Sequence, residues 1–188
     1  DAQRTYWGEV RSLFSTNAWA SSGMILGWRF PSGSGSNVQL IDTTPGSQFG
    51  KEDAPISLGN TFSDTEAGIH MTAVAANKDP WYVDMQVNMG NFVGNHAPTL
   101  ALEASAEVVP VNATVTFSAT AADEDGDTLA YAWQHFGDTA YKVVNDNAPV
   151  ITRKFTSNGS YVVTCTVTDM KGGTATRSKL ITVGSGNG

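Results

Sequence analysis

Gly159–Asp169, reading GSYVVTCTVTD, is the stretch that decides the fold. Tyr161, Val163, Cys165 and Val167 recur at every second position, and a period of two puts all four on one side of an extended strand. Gly159 offers the turn before it, and Cys165 stands in the inward row as a small hydrophobe. Outward from here, Thr174–Val183, Val115–Ala119 and Thr128–Gln134 alternate in the same way. The last of these carries Leu129, Tyr131 and Trp133 on one face. Trp133 is expected to fill the space between two sheets, since an aromatic ring there buries the most apolar area. Glycine and proline fall at short intervals throughout, which is the pattern of many strands joined by tight turns. The sequence reads as all-β.

The earlier half carries the same signals less evenly. Met24–Phe30 (MILGWRF) reads as a strand closed by the Gly/Ser stretch Pro31–Asn37, and Val38–Asp42 reads as the next. Thr43–Gly46 is a turn, because proline fixes φ and glycine accepts the left-handed region. Ile69–Ala75 and Trp81–Met89 are two more strands, parted by Asn77–Pro80. In the second, Trp81, Val83, Met85, Val87 and Met89 form one apolar face. In Arg4–Thr16, Tyr6, Trp7, Val10 and Phe14 fit either period, so strand and short helix both stay open. Near Gly94–Pro98 (GNHAP) the texture changes, with four of the five tryptophans before it. That break divides the chain into two small β-sandwich modules in tandem, 1–94 and 95–188.

Composition narrows the function. Of 188 residues 40% are hydrophobic, enough for a packed core, whereas only 15% are charged, below the roughly 25% of an average soluble chain. A surface of Ser, Thr, Asn, Gln and Gly is common in extracellular β proteins, and a secreted location is expected. The net charge of −7 repels a phosphate backbone, so nucleic acid is not an expected partner. The lone Cys165 excludes an intrachain disulfide. No apolar run approaches the roughly 18 residues that span a bilayer. The opening at Asp1, without an export signal, reads as the product of processing or trimming.

Candidate chemistry concentrates in Asp123–Asp127 (DEDGD), four carboxylates in five residues with glycine at the bend. Such carboxylates repel unless a cation or solvent screens them, and Ca²⁺ accepts six to eight oxygens. It is no EF-hand, because no glutamate stands at the twelfth loop position. Two readings stand: a calcium loop, or an acidic hairpin satisfied by water and backbone N–H groups. Catalytic signatures are missing. His70, His96 and His135 lie far apart, with no H-E-x-x-H, nucleophile elbow, Rossmann or P-loop pattern. These residues are therefore not expected to form an enzyme. Core packing is the default for Trp7, Trp19, Trp28, Trp81, Tyr6 and Tyr82, but exposed coplanar rings stack on sugars. Trp81 and Tyr82 alternate out of phase, so one of them should face outward; with Trp19 they are the candidate ligand-contact aromatics. Asn112-Ala113-Thr114 and Asn158-Gly159-Ser160 match glycosylation acceptors.

The order of landmarks in the second half resembles a PKD (polycystic-kidney-disease, immunoglobulin-like) domain over roughly 95–184. Asn95 and Pro98 open it. A Val115–Phe117 strand, the acidic turn, Trp133, Phe136–Asp138 (FGD), Phe155 and the G-x-Y…V-x-D run of Gly159–Asp169 follow. The family's W-D-F-G-D-G turn is altered here, with His135 as an extra residue and Thr139 in place of the second glycine. The resemblance to PKD domains of bacterial collagenases implies Ca²⁺ held by Asn95, Asp123 and Asp125, with Asp127 and Asp169 in reserve, stiffening the inter-domain junction. Residues 1–92 are similar to the β segment that follows the catalytic domain in bacterial secreted metallopeptidases of the gametolysin and reprolysin-like kind. The similar stretches are Tyr6–Arg11 (YWGEVR), Gly23–Arg29 (GMILGWR), Leu40–Ser47 (LIDTTPGS), Asp53–Ile56, Leu58–Gly59, Thr61–Asp64 (TFSD) and Gly68–Ile69. These likenesses imply a non-catalytic accessory region of a secreted bacterial hydrolase, a zinc metallopeptidase whose catalytic domain lies upstream in the parent chain. It would bind an extracellular protein or polysaccharide polymer and stabilise the enzyme. A carbohydrate-binding module and a passive extracellular spacer or adhesin segment are the alternatives.

Overall fold

The computed structural model describes residues 5–11, 17, 19–20, 23–29, 39–47, 50–78, 81–135 and 147–184, the side chains of Lys78, Trp81 and His135 excepted. Thirteen strands and no helix occur among them. They are β1 (Thr5–Glu9), β2 (Ile25–Arg29), β3 (Gln39–Leu40), β4 (Thr61–Asp64), β5 (Ile69–Lys78), β6 (Trp81–Met89) and β7 (Thr99–Ala104). Then come β8 (Val108–Val109), β9 (Thr114–Ala122), β10 (Ala130–His135), β11 (Val150–Lys154), β12 (Gly159–Thr168) and β13 (Thr174–Val183). The all-β expectation holds. Arg4–Thr16 resolves in favour of extended backbone at Thr5–Glu9, and of the expected strand Val38–Asp42 the described part pairs at Gln39–Leu40, Val38 lying outside the described residues. The Gly/Ser stretch Pro31–Asn37 and the Phe136–Asp138 turn lie outside the described residues.

Among the described residues four sheets form, ordered β1-β2-β3, β4-β5-β6, β11-β9-β7 and β10-β12-β13-β8. The last two face each other as an immunoglobulin-like sandwich. The alternation of β12 does what its sequence promises: Val163, Cys165 and Val167 are fully buried and Tyr161 packs on the same core. Across the gap stand Leu100, Leu102, Val115, Phe117, Ala119 and Ile151, supplied by β7, β9 and β11. Trp133 closes one side, its ring 6.4 Å from that of Phe117 and its Nε1–H donated to the Ala148 carbonyl at 2.9 Å. Between β7 and β8 the chain changes sheets. The Ser105 N–H donates to Thr116 on β9, while the Glu107 carbonyl accepts from Thr182 on β13. β8 then runs parallel to β13, with Thr182 opposite Val108.

The first half builds a smaller core from Leu26, Ile56, Leu58, Met71 and Ala73. Isolated bridges Met24–Ile56 and Leu58–Ala73 tie its two sheets together, and Tyr6 meets Phe62 edge-on at 5.8 Å. The apolar face of β6 outruns this core. Val83 and Met85 pack on it, whereas Val87 and Met89 are exposed, because so small a cluster covers only the first part of a nine-residue strand.

The two halves also touch. Ala130, Ala132 and Thr168 point away from the sandwich core yet are buried, and Thr61 Oγ1 lies 3.1 Å from Thr168 Oγ1. Strand β10 is the edge of its sheet. The outward N–H of Tyr131 donates to Asn147 Oδ1 at 2.8 Å, and Asn147 Nδ2 donates to the Val74 carbonyl on β5 at 2.8 Å. The outward carbonyl of Tyr131 sits against Gly59, where a Cβ would lie only 1.9 Å from it; φ there is +79°. Only glycine allows that approach.

Candidate metal centre at the acidic turn

The β9–β10 turn folds around one carboxylate. Asp123 Oδ1 accepts the N–H of Asp125 at 2.9 Å and of Asp127 at 3.2 Å, and Gly126 takes φ +74° to complete the bend. An aspartate that bonds the backbone two residues on holds a turn without outside help. In consequence Asp123, Asp125 and Asp127 each place an oxygen within 4.8 Å of the others.

What surrounds this group decides its chemistry. Asp125 Oδ2 accepts the His96 backbone N–H at 2.7 Å, and Oδ1 lies 3.2 Å from His96 Nδ1. The backbone bond, then the ring, holds the Asp125 carboxyl below the ordinary carboxylate range. The same ring contact raises the His96 imidazole above its ordinary value, aided by the charge of Asp125. Lys171 Nζ donates to Asp127 Oδ1, and that bond raises the Lys171 ammonium, with the charges of Asp127, Asp169 and Asp125 adding to it. Asp123 Oδ2 and Asp127 Oδ2 are buried and meet no donor among the described residues. Buried carboxylate oxygens without partners are costly, and a hard divalent cation is the ligand that matches them. The three aspartates therefore fit Ca²⁺.

Of the five residues singled out in the sequence, the carboxylates of Asp123, Asp125 and Asp127 stand together. Asp169 is 1% exposed, and its carboxylate accepts from Asn95 Nδ2 at 2.6 Å, Lys171 N at 2.7 Å and Gly173 N at 2.9 Å. Asn95 thus donates its amide to Asp169, and the Asp169 carboxylate shapes the 169–173 loop. Lys171 and His96 are the participants that sequence reasoning missed. Both sit in loops, where no periodicity marks them, and one comes from 44 residues beyond Asp127.

Among the aromatics, Trp19 is a correction. It is buried at 9% exposure, so it offers no ring to a sugar. Tyr82 is 43% exposed; the Trp81 side chain lies outside the described ones. Trp7, 55% exposed, stands opposite Gly27 on the β1-β2-β3 sheet, which in turn stands opposite Leu40, 51% exposed. Beside them opens a cleft of about 490 Å³ lined by Glu9, Arg11, Ile25, Leu40 and Lys51.

Residues 99–182 match the family model of the PKD domain. They form a PKD domain. Its boundaries enclose the β7–β13 sandwich up to Thr182, the acidic turn, Lys171 and Asp169, while Asn95 and His96 lie just before it. A stretch of 90 residues, 47% of this chain, is 37% identical to collagenase ColA of Clostridium perfringens (strain 13 / Type A). The aligned part spans 8% of that relative's length, so the likeness is to a segment of a far longer protein. No helix among the described residues is long and apolar enough to cross a membrane.

Proposed function

We propose that this chain is a non-catalytic accessory region of a secreted bacterial hydrolase, a metallopeptidase, which holds a polymeric protein substrate and stiffens the enzyme. The observation that carries this reading is the 37% identity to a segment of a collagenase alongside a PKD domain. Residues 1–94 would be a second module, set against the PKD domain through Gly59, Thr61 and Asn147. Recognition would work by surface contact and would break no bond. Tyr82 and Trp7 supply exposed rings, and the Glu9–Arg11 pair borders the cleft below Leu40. Asp123, Asp125 and Asp127 would hold Ca²⁺ at the junction. The ion would supply positive charge to three crowded carboxylates, and it has no reaction to perform there.

The test is retention of the purified 188-residue chain on insoluble collagen, cellulose and chitin. Retention on collagen that falls when Tyr82 and Trp7 are both changed to alanine is expected. Retention on cellulose or chitin alone would replace this reading with a carbohydrate-binding module, the alternative that the exposed Trp7 indole favours. Retention on none would leave a spacer.

A further inference from the structure

One positive charge at the acidic turn comes from a loop whose backbone is held on every side. Asp169 binds the N–H groups of Lys171 and Gly173. Met170 adopts φ +62°, its N–H donates to Thr168 Oγ1 at 3.0 Å, and its carbonyl accepts from Asn88 Nδ2 at 2.8 Å. A Cβ on Gly172 would come within 3.2 Å of the His70 ring. From this fixed base the Lys171 side chain passes over the Phe92 ring, with Nζ 5.4 Å from the ring centre, and ends on Asp127 Oδ1. The Asp127 side chain is only 11% exposed and that of Lys171 29%, so solvent screens the pair only in part.

We infer that Lys171 is a tethered rival of the divalent cation: it sets the affinity of the Asp123–Asp125–Asp127 site and holds the junction when no ion is bound. This rests on the reading of that cluster as a cation site. The geometry supplies two reasons. Lys171 fills one oxygen of Asp127, leaving Oδ2 as the only one open, so Asp127 cannot grip an ion with both oxygens while Lys171 stays. An ion at the two donor-free oxygens also lies close to a fixed like charge, which lowers its affinity. Phe92 belongs to the first half, so the lysine links the acidic turn to that half, and Asn88 ties the neighbouring Met170 carbonyl to it as well. The ammonium thus does part of the bridging that an ion would otherwise do.

Calcium titration by calorimetry on the whole chain tests this, with K171M and K171Q as charge-free variants and K171R as the charged one. Removing the charge is expected to tighten binding by about tenfold or more, while K171R stays as weak as the wild type. Thermal melts give a second readout. The wild-type midpoint should hardly differ between chelator and millimolar Ca²⁺, whereas those of K171M and K171Q should rise with the ion. Equal calcium affinity in the wild type, K171M and K171Q would remove Lys171 from the account and leave the site standing. No heat of binding in any of the four would overturn the site itself. Binding that persists in a D123N/K171M double variant would do the same, because the ion would then sit elsewhere.

Discussion

Cys165 lies at the centre of the sandwich with no accessible surface, and burial pushes its thiol up to about 12. A thiol held protonated is a poor nucleophile. Iodoacetamide should therefore label it only as the domain unfolds, with the labelling rate following the denaturant transition. Fast labelling of folded protein would show a breathing core. Phe117, also fully buried, faces it from the other sheet, and Phe117→Ala is expected to cost about 3–5 kcal/mol, read from the urea midpoint. At this scale the sequence was informative wherever a residue's role follows from its parity in a strand. Cys165 and Val167 could be assigned inward from spacing alone. Lys171 and His96 could not, because their roles arise from two loops meeting, and nothing local encodes the meeting.

Among the elements, β12 and β13 were legible because ten alternating residues admit only one period. β1 was not, since Tyr6, Trp7, Val10 and Phe14 satisfy two. What settles it is pairing with β2, Tyr6 against Trp28 and Gly8 against Leu26, a tertiary fact that overrides a weak local signal. The contact of β10 with the first half was also hidden. Gly59 reads in sequence as one turn glycine among many, yet it alone lets the Tyr131 carbonyl approach. Gly59→Val should loosen the contact between the halves, seen as faster amide exchange at Thr61, Thr72 and Thr168. Gly94→Ala, with open space around its φ of +84°, should cost only local strain of roughly 1–2 kcal/mol and leave that exchange unchanged. Similar exchange in both variants would mean that the close approach does not hold the halves together.

For the molecule as a whole, the junction carries a pH signature. His70 is 4% exposed, beside Phe92 and Ser63, and burial holds its imidazole below the ordinary value. The unfolded chain therefore takes up this proton first as pH falls. The contribution of His70 is whole above about 6.5 and is lost as pH drops through its lowered folded value. His96, raised by Asp125, runs the other way: its contribution is whole below the ordinary value and lost as pH climbs through the raised one. Urea midpoints stepped across the neutral range should show a shallower acid decline in H70Q and a shallower alkaline decline in H96A; unchanged profiles would discount both residues. A last consequence attaches to Asn147, whose side-chain amide mimics a peptide group along the rim of β10. A bare strand rim invites a neighbouring copy to zip on. One asparagine here acts as a hem, so Asn147→Ala is expected to favour fibrillar self-association at high concentration before any ligand contact is altered.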